Sequence, residues 1–381
     1  MALRPPRPGV MTVAGREWAR FRATPRLWLL VVVAPVLLVA LLLGIFIERS
    51  PLSLPIAVVD LDHSPASRAL VQRLDAAPAL SVRLHRDLPA AAVAVRRGEV
   101  YAVLAIPRGL HAEILAGRAP RLQLFYNRQM MTAGNMVLRE VRVAAATVGA
   151  GLGLARGIAP AVTAELHPAF NPGLDYARFL ALPLALAVLH IAIVVVALDV
   201  TGRELREGSA RGWLDAAGGR VLPALAGKLL PYALWFCVLG LFLLGLLDRL
   251  LGLEPAGSAL LRGAGWCLLV LACLGLGSVL VALAGNLRMA TSVASLVVSP
   301  AFAYAGLTFP VSAMPGFAAA WSMLLPLSHG LAAHTQQLAI GAPVTTTLPH
   351  LLALAAFALL PLLLHRRWRR LLRDPAAWGA T

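Results

Sequence analysis

Seven consecutive residues, Arg203-Glu204-Leu205-Arg206-Glu207-Gly208-Ser209, set four charges directly after a long apolar run. A short charged element of this kind, with Leu205, Trp213 and Leu214 as apolar contacts, suits docking into a groove on another protein. Gly208 would let a helix exit tightly there. The plainer reading is a solvated loop. Further on, Gly227-Lys228 is the one Gly-Lys pair, and Leu229 follows it. A phosphate-binding loop needs a leading glycine and a Ser or Thr after the lysine, because amides, ammonium and hydroxyl hold phosphate and magnesium together. The chain therefore cannot hydrolyse ATP by that route. Lys228 lies near the end of an apolar run, from which its long stem can carry the charge out to water.

His190 is the titratable residue deepest within an apolar run; Asp199 and Asp248 stand at edges. A lone histidine there serves as a hydrogen-bond partner between helices or as a proton relay. His329, His334, Gln336 and Gln337 occupy a stretch without charges. They either line an exit for a substrate or satisfy the backbone of a broken helix. His190, Lys228, Tyr232, His329 and Gln336 are thus the candidate lining of a path. The three cysteines, at 237, 267 and 273, lie in apolar runs without zinc spacing. Neither HExxH nor GxSxG occurs. No catalytic, cofactor-binding or metal-binding residue is expected.

These residues need elements to hold them. The chain is 59% hydrophobic and 14% charged, against about 25% charged in soluble domains. Its formal charge of +16 rests almost wholly on arginines beside apolar runs. That distribution marks the cytoplasmic side of a membrane protein rather than a nucleic-acid surface. Residues 1–26 predict an amphipathic cytoplasmic helix with Met11, Ala14, Trp18 and Phe21 on one stripe and Arg16, Glu17 and Arg20 between. Residues 27–47 predict an uncleaved first span. Residues 48–177 alternate strand and helix signals, beginning with Leu54–Asp60 and the helix start Ser64-Pro65, and predict an α/β domain. Further spans are expected at 178–198, 228–247 and 263–284, with a cytoplasmic segment at 199–227.

Residues 289–365 contain no Asp, Glu, Lys or Arg. Three spans would fit by length, but would put the terminal arginines outside. Two spans, at 290–310 and 347–365, keep the basic tail 366–381 inside. The Pro- and Gly-broken piece 311–346 is then a re-entrant outer hairpin, and 178–365 forms a five-helix region. This topology places 17 of the 34 basic residues in cytoplasmic segments. The expected fold is an α-helical integral membrane protein of about six transmembrane helices, with an α/β extracytoplasmic domain between the first two.

In this order and spacing, the motifs resemble the ABC-2 type exporter permeases, in their long form with a large outer domain. Ala57-Val-Val-Asp-Leu-Asp62 with Ser64-Pro65 and Ser67-Arg68-Ala69-Leu70 is similar to the start of that domain. Tyr126-Asn127, Thr132-Ala-Gly-Asn135 and Asn171-Pro172 are similar to later parts of it. Glu204, Glu207 and Gly208 resemble the family's Glu-x-x-Glu-x-Gly-Thr coupling motif in loose form, with Ser209 for Thr. Gly227-Lys-Leu-Leu-Pro-Tyr232 resembles the opening of its third span, and Phe309–Pro315 with Pro326-Leu-Ser328 its outer hairpin. Thr24-Pro25 stands where Asp-Pro is usual. The resemblance implies a bacterial cytoplasmic-membrane protein with both termini inside, no cofactor of its own, and ATP and magnesium on a separate ATPase subunit. It implies a dimer with a second permease copy or homologue, in contact with membrane lipid and coupled through Arg203, Glu204, Glu207, Gly208 and Ser209. A periplasmic adaptor stays open as a further partner. The nearly uncharged later spans suit an amphiphilic or hydrophobic substrate moving outward. Two other readings stand beside it: a membrane-anchored outer domain that binds a ligand or assembles a secretion apparatus, and an ion-coupled carrier using His190.

Overall fold

The computed structural model describes residues 7–46, 53–118, 120–126, 131–154 and 177–378. Asn127 and Asn171-Pro172 lie outside the described residues. Two compact units are present, one built from 1–47 with 176–381 and the other from 48–175.

Helix α1 runs Val10–Ala23. Its buried face is Val13, Ala14, Glu17 and Phe21, whereas Met11 is 76% and Trp18 43% exposed. Of the apolar stripe read from the sequence, Ala14 and Phe21 are therefore packed, while Met11 and Trp18 are not. The packed face is set by the neighbour, where Gly227 lets the backbone and side chains at Val10 and Val13 come close. Pro25 forces extended backbone at Thr24 and opens α2 (Pro25–Trp28). A π turn at Leu29–Val33 leads into α3 (Ala34–Phe46). Pro35 has no N–H for the carbonyl four residues back, that of Val31, and Trp235 Nε1 donates to it at 3.1 Å.

The second unit holds four strands, β1 (Leu54–Asp60), β2 (Leu80–Leu84), β3 (Ala102–Ile106) and β4 (Gln123–Tyr126), in the order β2-β1-β3-β4. β1 is parallel to β2 and β3, and β4 is antiparallel to β3. Helices α4 (Pro65–Asp75), α5 (Leu88–Arg96), α6 (Leu110–Leu115) and α7 (Met131–Leu154) intervene or follow. Central β1 and β3 are buried on both faces, as parallel strands usually are. Ile56, Val58 and Leu104 join α4 and α7, while Ala57, Val59 and Val103 meet Ala91 and Ala94 of α5.

The two aspartates after β1 tie this unit together. Asp60 accepts the Asp62 and His63 amides at 3.0 Å and the Ser67 hydroxyl at 2.8 Å. Ser64 and Ser67 form a reciprocal capping box on α4. Asp62 accepts the amides of Gly109 at 2.7 Å and His111 at 3.1 Å, at the start of α6. Burial opposes its charge, but bonds from Ser64 and from these amides outweigh burial and hold its pKa below the ordinary 3.8. A lowered folded pKa means this stabilisation is complete above the ordinary value and fades as pH falls through the lowered one. Asp62→Asn should cost about 1–2 kcal/mol at pH 7. The gap to the parent should narrow as pH drops below about 4, read by thermal unfolding at each pH.

The first unit continues after a π turn at Ala177–Ala181 with α8 (Leu182–Arg206), α9 (Ala210–Ala216), α10 (Val221–Leu250) and α11 (Ala259–Ala284). Then come α12 (Leu287–Val298), α13 (Gly316–Met323), α14 (Pro326–Thr335), α15 (Val344–Leu363) and α16 (His365–Arg373). Small residues let the long helices approach. A Cβ on Gly277 of α11 would stand 2.5 Å from the Ala197 Cβ and 3.0 Å from the Val194 carbonyl of α8. Gly275 lies against the carbonyl of Phe357, which Pro361 leaves without its helical donor. Close contacts at glycine are how helices associate in lipid, where apolar burial gives no drive.

Among the described residues, five helices are long and apolar enough to cross a membrane: Pro25–Ile45, Phe179–Arg206, Val221–Leu250, Ala259–Ala284 and Val344–Leu363. The sixth expected span, 290–310, is instead the shorter apolar piece Leu287–Phe302. Pro300 turns its end into a 3-10 helix, and Gly306 takes a left-handed conformation beyond it. Twelve α-helical and four 3-10 residues cover about 26 Å, short of the ~30 Å hydrocarbon core. Between α12 and α15 the chain is short helices and turns, in which α14 packs on α11 and α15.

Candidate functional site

The last turn of α8 meets α1 and the start of α10 at a cluster of charges. Glu204, fully buried, accepts from Lys228 Nζ at 2.8 Å, Arg16 Nη2 at 3.0 Å, Arg20 Nη1 at 3.1 Å and Ser209 Oγ at 2.5 Å. Lys228 Nζ also donates to Glu17 Oε1 at 2.5 Å, and Arg20 pairs with Glu207. Three cations and three carboxylates balance in the cluster, with Glu17, Glu204 and Lys228 buried at its centre, Arg16 and Arg20 half-buried and Glu207 at the exposed edge. The buried carboxylates are each met by a cation, which offsets their desolvation. Lys228 is 1% exposed and lies 4.9 Å from the centre of the Trp213 ring. It does not reach outward to water, as its position near a span's end suggested, because two carboxylates meet it inside.

Helix α8 ends just past this cluster. Gly208 is left-handed, with φ of 65°; its amide reaches the Leu205 carbonyl and that of Ser209 the Glu204 carbonyl. This paired closure is a Schellman motif, and glycine is the residue that takes the conformation without strain. Helix α9 follows and is held on three sides. Trp213 is fully buried, donates to the Ala224 carbonyl at 3.0 Å and meets Trp368 of α16 edge-on at 5.8 Å. The Gly9 amide ahead of α1 donates to the Ala216 carbonyl at 3.0 Å. Arg206, Glu207, Gly208, Arg211, Gly212 and Asp215 form the exposed edge of this hairpin.

The structure thus sorts the residues singled out in the sequence. Arg203 and Glu204 turn inward, Arg203 pairing with Asp199 at 2.7 Å, whereas Glu207 and Gly208 reach the surface and Ser209 is half-buried. Tyr232, one turn beyond Lys228, packs edge-on to Phe21 and shares a notch with Trp18, Val31, Pro231 and Trp235. His190 is buried on α8 fourteen residues before Glu204, about 21 Å along the helix. His329 stands elsewhere, on α14, with Nε2 donating to the Met323 carbonyl at 2.9 Å and Nδ1 3.2 Å from His350 Nδ1. Gln336 accepts from Thr347 at 2.9 Å, and Gln337 binds Thr347 and the Ser258 amide. Glu17 and Arg16 were not expected at the site. The signal was available: Glu17 is the one acid among the six arginines of residues 1–26.

The family described as ABC-2 family transporter protein matches residues 25–365. No individual curated protein matches. The match begins on Pro25, the first residue of the first long apolar helix, and ends beside the close of the last. Helix α1, with three members of the charge cluster, lies before it. Running across both units and all five long apolar helices, this agreement makes the chain a multi-pass membrane protein of the ABC-2 transporter family.

Proposed function

We propose that this chain is the permease of an exporter whose ATP is hydrolysed on a separate subunit docked at the α8–α9 hairpin, and that two permeases pair to form the path. The observation that carries this reading is the charge cluster, buried at Glu17, Glu204 and Lys228, that runs inward from the hairpin's exposed edge. A push on Glu207, Gly208 and Arg211 reaches α8 through one helical turn and α1 through Arg20. It reaches α10 through Trp213 and Lys228. Short charge-assisted bonds in a dry setting transmit displacement because they cost much to break. The chain's only lysine is held by Glu17 and Glu204. In this reading ATP and magnesium belong to the docked subunit.

In this reading the hairpin, α1 and α16 face the cytoplasm of a bacterium and residues 48–177 face outward. The path would open between the paired permeases, with an amphiphilic or hydrophobic cargo suited to its sparse charge. A tagged permease purified from its native membranes in mild detergent should bring down a P-loop ATPase. A single cysteine at 208 in a cysteine-free background should react with an impermeant maleimide only in inside-out vesicles. A permease that purifies without an ATPase, or a position 208 labelled in intact cells, would sink the proposal.

A further inference from the structure

Helix α16 carries arginines at 366, 369, 370 and 373, all exposed. Their spacing of i, i+3, i+4 and i+7 puts them on one stripe. The opposite side is Trp368 and Leu372, both fully buried, with Leu371 half-buried against Gly285. Arg367 is used differently: its guanidinium donates to the carbonyls of Ala282 and Leu283 at the end of α11. No carboxylate partner is seen for the four stripe residues among the described residues. Like charges three and four apart destabilise a helix, and among the described residues nothing compensates the stripe.

Position says what compensates it. α15 ends at Leu363, where Leu362 is 45% and Leu363 75% exposed, apolar surface suited to lipid up to the last residue. The chain breaks at Leu364, and α16 then touches α9, α10 and α11, crossing the end of the bundle instead of prolonging α15. The first arginine of the stripe comes three residues after the span, about 4.5 Å along a helix. That depth is the headgroup layer. We infer that the outer stripe of α16 binds anionic lipid headgroups and that the lipid it holds fastens α9 against the bundle.

The route to α9 is short. Trp368 on the inner side of α16 meets Trp213 edge-on, and Trp213 lies beneath Lys228. Anionic lipid on the stripe removes the repulsion that loosens α16, and so steadies the aromatic pair on which α9 rests. The inference needs only the membrane setting and not the ATPase, so it stands or falls apart from the proposed coupling role.

The test uses the full permease in an uncharged detergent, titrated with phosphatidylglycerol, phosphatidylcholine or glycerol phosphate. Thermal unfolding and hydrogen exchange of the α9 amides are followed. Phosphatidylglycerol should raise the midpoint and slow exchange in α9; phosphatidylcholine and free glycerol phosphate should do neither. Each basic residue near an anionic surface strengthens association about fivefold. R366Q/R369Q/R370Q/R373Q should therefore need at least about a hundredfold more phosphatidylglycerol for the same shift. R73Q/R86Q/R96Q/R97Q, an equal charge change in the second unit, should respond like the parent. R367Q should lower the midpoint while leaving the lipid dependence intact. An equal response of parent and stripe variant, or of phosphatidylcholine and phosphatidylglycerol, overturns the inference. So does a stripe variant that keeps its lipid response but loses a co-purifying acidic protein, which would assign the face to that protein.

Discussion

Lys228→Met is expected to destabilise the permease by about 3–5 kcal/mol, the range for breaking a buried ion pair from one side. Methionine matches lysine's stem closely enough to keep the packing, so the loss isolates the charge. The reason is asymmetric. Glu204 would keep Arg16, Arg20 and Ser209, but Glu17, 1% exposed, has Lys228 as the partner of Oε1 and, among the described residues, none for Oε2. A lone carboxylate would be left in a dry contact between α1 and α10. Glu17→Met should be milder, because Lys228 still has Glu204. The double change Glu17→Met with Lys228→Met should recover to within about 1 kcal/mol of the parent, since replacing both members of a buried pair with apolar groups is often neutral. Thermal unfolding of the detergent-purified variants measures all three. A Lys228→Met protein as stable as the parent would mean that the cluster does not join α1 to the bundle.

How much of this was legible depended on how local the cause was. In the second unit the sequence predicts a strand at Leu54–Asp60 and a helix opening at Ser64-Pro65, and β1 and α4 stand there, because strand period and a capping serine act within a few residues. Gly208 at the exit of α8 is likewise a local matter of backbone conformation. The sixth expected span is represented by a shorter apolar piece: the α-helix gives way to a 3-10 turn at Ser299–Phe302, a change of backbone that hydropathy does not register. The burial of Glu17 on α1 and the fate of Lys228 were illegible for a different reason. Glu17 and Lys228 are 211 residues apart, and neither's surroundings can be inferred from its neighbours in sequence. Ser209 shows the converse. Its hydroxyl bonds Glu204 at 2.5 Å, a task that either serine or threonine can perform, so its departure from the family motif has little physical weight.

On the proposed docking role of the hairpin, Glu207→Arg combined with Gly208→Trp is expected to abolish capture of an ATPase subunit and ATP-dependent export while leaving the permease folded and in the membrane. The two positions lie on the exposed edge of the hairpin. Glu207→Arg reverses the charge that faces Arg20 and any partner; a surface pair of this kind contributes little to stability, about 0–1 kcal/mol. Gly208→Trp adds an indole at a position with no heavy atom within 4 Å of a built Cβ, so the ring meets solvent in the free chain and a steric block in a complex. Its left-handed backbone adds about 1–2 kcal/mol of strain. The summed penalty stays below that expected for Lys228→Met, so stability and coupling separate. If the hairpin is the docking surface, the double variant should purify at the parent's level without its ATPase, whereas Lys228→Met should reduce the yield of folded permease first. A double variant that still exports at the parent's rate would move the docking surface elsewhere on the bundle's end, and the charge cluster would then be a structural joint with no part in transmitting force.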